Sequence, residues 1–311
     1  RFNRAFTTWP VCTPARGTMW SGTYPHKHQL IDNVYGVDDA FATLAAVRTT
    51  LFDVLKAAGY TTAHFGKWHL GEKQPKYFDF WEETFNSRVH HWIGGVDSGV
   101  WRPGLQTDRC IQFLNSRKAD DPPFCMVQGY YPPHDPYTAP KEYFAHYRDK
   151  GVPFAGYYAS VTAIDHEVGR ILDALERNGQ RHNTLVIFFA DHGDTFFYRD
   201  DGEHKFVCTD DSIRIPFVLS WPAMLPPNTS CERMVGLQDL MPTVLDAAGV
   251  APPDGMHGMS VLPIARGENA PWRDHYYVQN RTHRRSITQR AYRTDDWKLI
   301  GSVEGGSHAL Y

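Results

Sequence analysis

The spacing of apolar residues along the chain predicts a series of helices and strands. The clearest helix covers 155–179, where apolar residues recur at steps of three and four and Asn178-Gly179 mark the end. Its apolar stripe consists of Val161, Ile164, Val168, Ile171, Leu172 and Leu175. Shorter helices are predicted over 49–58, 107–118 and 237–248. Strands are predicted over 61–65, 123–131, 184–190 and 215–221.

The order of these elements predicts the fold class. Strands alternate with helices up to about residue 270, and the tail beyond it alternates apolar and polar residues as an antiparallel sheet does. We therefore predict an α/β fold with a mixed, mostly parallel central sheet flanked by helices, and a small C-terminal antiparallel subdomain. Residues 1–270 form the predicted catalytic domain and 271–311 begin the predicted subdomain. The runs 123–131 and 184–190 are apolar enough for strands buried on both faces.

Composition narrows the class of protein further. The 311 residues carry a net charge of -3, from 32 basic and 35 acidic residues. This balance gives no electrostatic footprint for nucleic acid. Mean hydropathy is -0.47, and no apolar run nears the roughly 20 residues of a membrane span. We expect a soluble globular protein with neither nucleic acid nor membrane as a partner. The 16 histidines favour metal or anion chemistry.

Several short motifs follow one another in a fixed order. Five cysteines are present without a C-x-x-C pair, and the cysteine that stands out chemically is Cys12, which opens a C-x-P-x-R segment ending at Arg16. Polar motifs then follow the predicted strands, where α/β folds carry their ligands. In chain order, the motifs are CTPAR (12–16), SGTYP (21–25), GYTT (59–62), GKWHLG (66–71), PHDP (133–136), ADHGD (190–194), Lys205 nine residues before RIP (214–216), and DLMPT (239–243).

These segments resemble the formylglycine-dependent sulfatases of the alkaline phosphatase superfamily, collinearly along the whole chain. The resemblance implies that Cys12 is oxidised after translation to formylglycine by a formylglycine-generating enzyme. The hydrated aldehyde then attacks a sulfate ester, and its second hydroxyl expels sulfate, which divides a hard displacement into two easier steps. The implied activity is sulfuric ester hydrolysis, R-O-SO3 plus water giving R-OH plus sulfate.

The resemblance also implies a role for each motif residue. Arg16 holds the diol, while Lys67 and Lys205 bind sulfate oxygens as compact cations. His69 is the expected base on the second hydroxyl, and His134 the expected acid or donor to the bridging oxygen. Asp191 and His192, with the residue made from Cys12, would bind one divalent cation. Calcium is usual in the family, and the histidine leaves manganese open.

One feature departs from the family pattern. The family completes its metal site with an aspartate pair before the nucleophile, whereas residues 1–11 contain no acidic residue. We therefore expect a sequence that lacks the first strand. Because the last residues also stop inside a predicted strand pair, we expect truncation at both ends. Localisation stays open, with secretion, the periplasm or the lysosome favoured over the cytoplasm, and the oligomeric state also stays open.

Three alternatives remain beside the sulfatase interpretation. The same site in relatives hydrolyses phosphonate monoesters or phosphodiesters. Without oxidation of Cys12 the chain would be a binder of sulfated ligands, and a gene fragment would have no function. The substrate is expected to be a small-molecule or carbohydrate sulfate ester, with a sugar favoured by the mixed polar and aromatic side chains of the loop 81–104. These are His90, His91, Trp92, Trp101 and Arg102. His204, beside Lys205, is expected at the surface, with contact to the substrate as the alternative.

Overall fold

The computed structural model describes residues 1–34, 49–71, 74–83, 91–96, 99–148, 150–196, 204–282, 287–303 and 306–311. Its helices are α1 (Cys12–Ser21), α2 (Pro25–His28), α3 (Leu51–Ala57), α4 (Arg102–Ser116), α5 (Lys141–Arg148), α6 (Ala155–Arg177), α7 (Asp210–Ile213), α8 (Leu240–Ala247) and α9 (Leu262–Ala265). A 3-10 turn (Leu237–Asp239) precedes α8. Within the described residues, none of the helices has both the length and the apolarity that a membrane crossing requires.

The strands are β1 (Ala5–Phe6), β2 (Thr61–Gly66), β3 (Phe80–Glu83), β4 (Trp92–Ile93), β5 (Val100–Trp101), β6 (Phe124–Gly129), β7 (Val186–Phe189), β8 (Phe217–Ser220), β9 (Val235–Gly236), β10 (Tyr276–Thr282), β11 (Ile287–Arg293), β12 (Lys298–Ser302) and β13 (His308–Leu310). The strand pairs β1–β9, β2–β3 and β2–β6 are parallel, and β7–β8 is antiparallel. The mixed α/β prediction is confirmed.

The chain forms two compact units. The first contains 1–58, 69–71 and 183–311, and the second contains 59–68 and 72–182. In the first unit, β10–β13 form the predicted antiparallel sheet, in that order. Its inner face shares a buried apolar cluster with β1 and with the segment 208–234: Phe6, Cys208, Ile213, Met234, Tyr276, Val278, Ala291 and Ile300.

The second unit is built on the parallel sheet β3-β2-β6. The central strand β2 is buried from Thr62 to Gly66, whereas β6, at the edge of this sheet, is only half-buried along its length. The prediction that β6 is buried on both faces was therefore wrong: residues on both of its faces are half-buried, because the edge strand has a neighbouring strand on one side only and its side chains are less enclosed than those of β2. The same applies to β7, where Phe188 is exposed within a two-stranded pair.

Helix α6 shows a second difference between pattern and structure. The helix lies where it was predicted, but Val161 is exposed. Small side chains occupy much of the buried face, including Ala159, Ser160 and Ala163. A β-carbon added at Gly156 would lie 1.9 Å from the carbonyl oxygen of Tyr137. The backbones approach so closely here that small residues fit where larger apolar ones would not.

Candidate active site

Cys12 is the first residue of helix α1 and is 1% exposed. Val11 before it is extended, and Pro14 lies in the first turn, where the missing amide hydrogen costs no helix hydrogen bond. Arg16 follows one turn later, so that its side chain and that of Cys12 project from the same face of the helix. The motif C-x-P-x-R therefore places a sulfur atom at the helix N-terminus, where the helix dipole favours negative charge.

The Cys12 sulfur contacts a histidine and a lysine from distant parts of the chain. The distance from Cys12 Sγ to His192 Nε2 is 3.2 Å, and Lys205 Nζ donates to the same sulfur at 3.7 Å. Lys205 is buried, so its charge acts in a region with little water to screen it. The structure thus brings three of the predicted site residues together around one atom.

The Asp191–His192 segment follows strand β7 and supplies potential metal ligands. Asp191 Oδ2 accepts a hydrogen bond from Arg16 Nε at 3.2 Å. His192 Nδ1 donates to the carbonyl oxygen of Gly193 at 2.8 Å, which fixes the tautomer and leaves the lone pair on Nε2. One ligand atom from each of Cys12, Asp191 and His192 lies within 4.8 Å of the others. This donor set, a thiol sulfur, a carboxylate oxygen and an imidazole nitrogen, fits a divalent cation.

His69 belongs to the first compact unit, and its backbone is hydrogen-bonded to helix α1. Thr13 Oγ1 donates to the carbonyl oxygen of His69 at 2.8 Å. The His69 side chain is buried, and its φ of 59° lies in the sparsely populated left-handed region. A hydrogen bond from the residue next to Cys12 therefore helps to hold an unfavourable backbone conformation at the residue expected to be the base.

His204 was expected at the surface, and this expectation was wrong. The residue is 9% exposed, and its Nδ1 donates to Asp194 Oδ2 at 3.2 Å. The other oxygen, Asp194 Oδ1, accepts from the backbone amide of Phe196 at 2.7 Å, and the amide of Thr195 donates to the carbonyl oxygen of His204 at 2.7 Å. Two hydrogen bonds, one with the last residue of the ADHGD segment and one with the next residue, thus hold the residue before Lys205. Sequence analysis missed this pair, although Asp194 lies within a recognised motif.

The second unit holds Lys67 and His134 near one aromatic ring. Lys67 Nζ lies 4.3 Å from the centroid of the Tyr131 ring, and the His134 ring packs against Tyr131 edge-to-face with centroids 5.1 Å apart. His134 Nδ1 donates to Asp135 Oδ1 at 2.8 Å. The hydrogen bond leaves Nε2 as the nitrogen that can exchange a proton with a ligand.

A buried histidine lies beside these residues. Burial, together with the nearby positive charges of His134 and Lys67, lowers the pKa of His91 to about 4, against an opposing effect of Asp135. His91 Nδ1 and Trp92 Nε1 each lie 3.1 Å from Thr138 Oγ1.

The other predicted pocket residues lie near this histidine. The rings of Trp92 and Trp101 pack together at 5.2 Å. Arg102 begins helix α4, and His90 lies outside the described residues. The two tryptophans are already joined by β4 and β5, so they present one aromatic surface rather than two separate rings.

A family model described as Sulfatase matches residues 1–250. A second, described as N-sulphoglucosamine sulphohydrolase, C-terminal, matches residues 202–309. The first match covers most of the chain, and the chain therefore belongs to the sulfatase family, a family of hydrolases.

Individual proteins agree with this placement. An ulvan-active sulfatase of Formosa agariphila is 26% identical over an alignment that covers 98% of this chain and 66% of that protein. A protein solved in complex with its substrate D-glucosamine-2-N,6-O-disulfate superposes with a TM-score of 0.79 at 19% identity, covering all of this chain and 83% of the other. A phosphonate monoester hydrolase of Agrobacterium radiobacter also has a TM-score of 0.79 at 19% identity, over all of this chain and 81% of the other. At 19% identity, these two structures support the predicted fold and carry no conclusion about activity.

Proposed function

We propose that the protein hydrolyses sulfate monoesters through a formylglycine made from Cys12. The observation that carries the proposal is the environment of the Cys12 sulfur, which contacts His192 Nε2 at 3.2 Å and Lys205 Nζ at 3.7 Å at the start of a helix. A buried lysine and a helix N-terminus both favour negative charge, which gathers on the sulfate oxygens during displacement.

The chemistry divides into two displacements at one carbon. Hydration of the formylglycine aldehyde gives a carbon that carries two hydroxyls. One hydroxyl gives its proton to solvent as its oxygen attacks the sulfate sulfur, the bond from sulfur to the alcohol oxygen breaks, and His134 gives a proton to the departing oxygen. His69 then removes a proton from the second hydroxyl, the carbonyl re-forms, and the bond from carbon to the sulfate oxygen breaks. Sulfate leaves and the aldehyde is restored.

The cationic residues keep separate tasks in this scheme. Arg16 holds the Asp191 carboxylate by a 3.2 Å hydrogen bond and shares its charge with the diol. Lys205 Nζ contacts the Cys12 sulfur, which the attacking oxygen of formylglycine would replace, so Lys205 stabilises that oxygen. Lys67 is assigned to the sulfate oxygens because the GKWHLG segment that contains it resembles a signature segment of the family. Its position beside Tyr131 gives it a fixed orientation.

We also propose that Asp191, His192 and the modified Cys12 hold one divalent cation, calcium in the first instance and manganese as the alternative. Such an ion would supply Lewis-acid stabilisation of the negative charge that develops on the sulfate group. The three donors lie close enough to share one ion. Metal analysis of protein dialysed against EDTA and then against each ion separates the two. We expect bound metal near one ion per chain, and loss of that metal in Asp191→Ala whether or not Cys12 is oxidised.

For the substrate we propose a sulfated carbohydrate. The aromatic surface of Trp92 and Trp101 lies in the same unit as Lys67 and His134, and aromatic faces combine with polar groups in sites that bind small ligands. One protein with this fold was solved with a disulfated glucosamine as its substrate. A panel of sulfated monosaccharides tests the proposal, since a sugar-specific site turns over one of them faster than 4-nitrophenyl sulfate.

The central experiment compares two esters on one preparation. Protein coexpressed with a formylglycine-generating enzyme is assayed on 4-nitrophenyl sulfate and on a matched phenylphosphonate ester, with and without EDTA. Mass spectrometry of the Cys12 peptide reports the modification, because the aldehyde is about 18 Da lighter than the thiol. We expect metal-dependent sulfate release that disappears in Cys12→Ala and persists in Cys231→Ala, a matched change at a partly exposed cysteine.

Each other outcome selects a different function. A faster phosphonate rate would move the protein to the sister hydrolase activity, for which the shared fold leaves room. An unmodified Cys12 that binds sulfated sugars without turnover would make the chain a binding protein. Absence of turnover on aryl esters and on the sugar panel, with formylglycine confirmed, would overturn the proposal.

A further inference from the structure

Tyr131 lies two residues after Gly129, the last residue of strand β6, and is 5% exposed. Its ring centroid lies 4.3 Å from Lys67 Nζ, and Lys67 is itself 3% exposed. The Lys67 backbone is fixed separately, since its amide donates to the carbonyl oxygen of Gly129 at 2.7 Å. Both ends of a long, flexible side chain are therefore restrained, the near end by the sheet and the far end by an aromatic ring.

We propose that Tyr131 is a positioning residue that holds the Lys67 ammonium and the His134 imidazole for the reaction. The inference rests on the proposed function, because it concerns residues assigned to sulfate binding and proton transfer. A lysine on a four-carbon stem has many rotamers, and an ammonium over the face of a ring is attracted by the ring quadrupole most strongly where water is excluded.

A ring suits this task for an electrostatic reason. A carboxylate in the same place would also hold the ammonium, but it would cancel the positive charge that attracts a sulfate group. An aromatic face carries no net charge, so the ammonium keeps its full charge for the anion. Burial of the lysine then strengthens its attraction for sulfate rather than leaving it to be screened.

The same ring also constrains His134. The two rings meet edge-to-face, with an angle of 65° between their planes, and the backbone amide of His134 donates to the carbonyl oxygen of Tyr131 at 3.2 Å. With Nδ1 held by Asp135, the imidazole plane is fixed from two sides. One tyrosine thus contacts a proposed cation and a proposed acid, which links their orientations.

The test separates electrostatic positioning from simple packing. Tyr131→Phe keeps a ring of almost the same shape, whereas pentafluorophenylalanine at position 131 keeps the shape and reverses the sign of the quadrupole. Tyr131→Leu removes the ring altogether. Tyr77→Leu removes a buried tyrosine ring elsewhere in the same unit and serves as the control for lost packing. Inorganic sulfate, measured by calorimetry, probes Lys67 without any turnover.

We expect Tyr131→Phe to bind sulfate within about threefold of the parent chain, and the fluorinated ring to weaken binding by roughly tenfold or more. kcat/KM for the best sulfate ester should follow the same order. In a Lys67→Met background, the variants with phenylalanine and with pentafluorophenylalanine at position 131 should bind sulfate equally, because the cation on which the ring acts is gone. Tyr77→Leu should lower the melting temperature and leave sulfate affinity unchanged.

Three results would overturn the inference: equal sulfate affinity for the phenylalanine and fluorinated rings, the same difference between them in the Lys67→Met background, or a loss in Tyr77→Leu as large as in Tyr131→Leu. The proposed function fails differently, through absence of turnover by the parent chain. In that case the sulfate calorimetry still decides whether Tyr131 orients Lys67.

Discussion

The buried Asp239–Arg273 pair gives the sharpest prediction about stability. Asp239 is fully buried, and its carboxylate accepts from Arg273 Nη1 at 2.5 Å and Nη2 at 2.6 Å. The backbone amides of Gly236 and Met259 each donate to it at 2.9 Å. An asparagine has one acceptor oxygen in place of two, so Asp239→Asn sets an amide donor against other donors and leaves the guanidinium unpaired.

Removing one partner of a buried ion pair costs about 3–5 kcal/mol of unfolding free energy. With a urea m-value of about 3 kcal/mol/M, that loss lowers the midpoint by roughly 1–1.7 M. The matched control is Asp295→Asn, which breaks the 2.6 Å pair with Arg4 at a side chain that is 73% exposed. Exposed pairs contribute only about 0–1 kcal/mol, and the control should shift the midpoint by less than about 0.3 M.

The assay is urea unfolding followed by tryptophan fluorescence. The double variant Asp239→Asn/Arg273→Met should recover much of the loss, because it removes the unpaired charge and keeps an acceptor oxygen for the backbone amides. Equal midpoints for Asp239→Asn and Asp295→Asn would refute the reasoning, since burial would then have no effect on the value of the pair. A double variant less stable than Asp239→Asn would refute the assignment of the loss to an unpaired cation.

Two further predictions concern protonation and the Asp194–His204 pair. The pKa of His91 is about 4 when folded against about 6.5 when unfolded, so the unfolded state binds more protons between these values. The unfolding free energy is therefore highest above pH 6.5, and the titration of His91 lowers it by about 2.5 kcal/mol between pH 7.5 and 4.5. The urea midpoint of His91→Gln should lack this pH-dependent component. Asp194→Asn removes the carboxylate that holds His204, and we expect the neighbouring Lys205 to be displaced and kcat/KM to fall by about 10–100-fold. The control Asp274→Asn, at an exposed aspartate–histidine pair, should match the parent. An unchanged rate in Asp194→Asn would show that the Asp194–His204 hydrogen bond does not position Lys205.

Much of the site could be predicted because short-range geometry is written in the sequence. Cys12 and Arg16 are four residues apart, which places them on one face of any helix. Asp191 follows a strand, and strand ends collect ligands in α/β folds. These inferences need only the local conformation, and the structure brings Cys12, Arg16, Asp191, His192 and Lys205 into contact as a connected set.

The burial of His204 could not be predicted from local pattern. Its neighbours in sequence are polar, and such a stretch is typical of a surface loop. The residue is buried because Asp194, ten positions earlier, supplies the carboxylate that a buried imidazole donor needs. A pairing of this kind depends on how a loop closes rather than on periodicity. The same limit applies to α6, where close backbone approach selects alanines over the valine that the pattern favoured.

The GKWHLG motif contains residues of both compact units. Lys67 belongs to one compact unit and contacts Tyr131, whereas His69, two positions on, belongs to the other and accepts from Thr13 through its backbone. The motif predicts both residue types but gives no sign of the division. The partners of both residues are distant in sequence, and a single sequence carries no signal for such contacts.

The site residues share one electrostatic principle in both units. A sulfate ester is attracted only by cations whose charge has not been cancelled, yet a buried cation needs a partner. In the first unit Arg16 takes a carboxylate partner, and Lys205 contacts the Cys12 sulfur at the position of the proposed nucleophile. In the second, Lys67 contacts a neutral ring. The arginine that contacts a carboxylate is thus the cation assigned to the diol and the proposed metal ligands. The two lysines, which contact a sulfur atom and an aromatic ring, are the cations assigned to the attacking oxygen and the substrate.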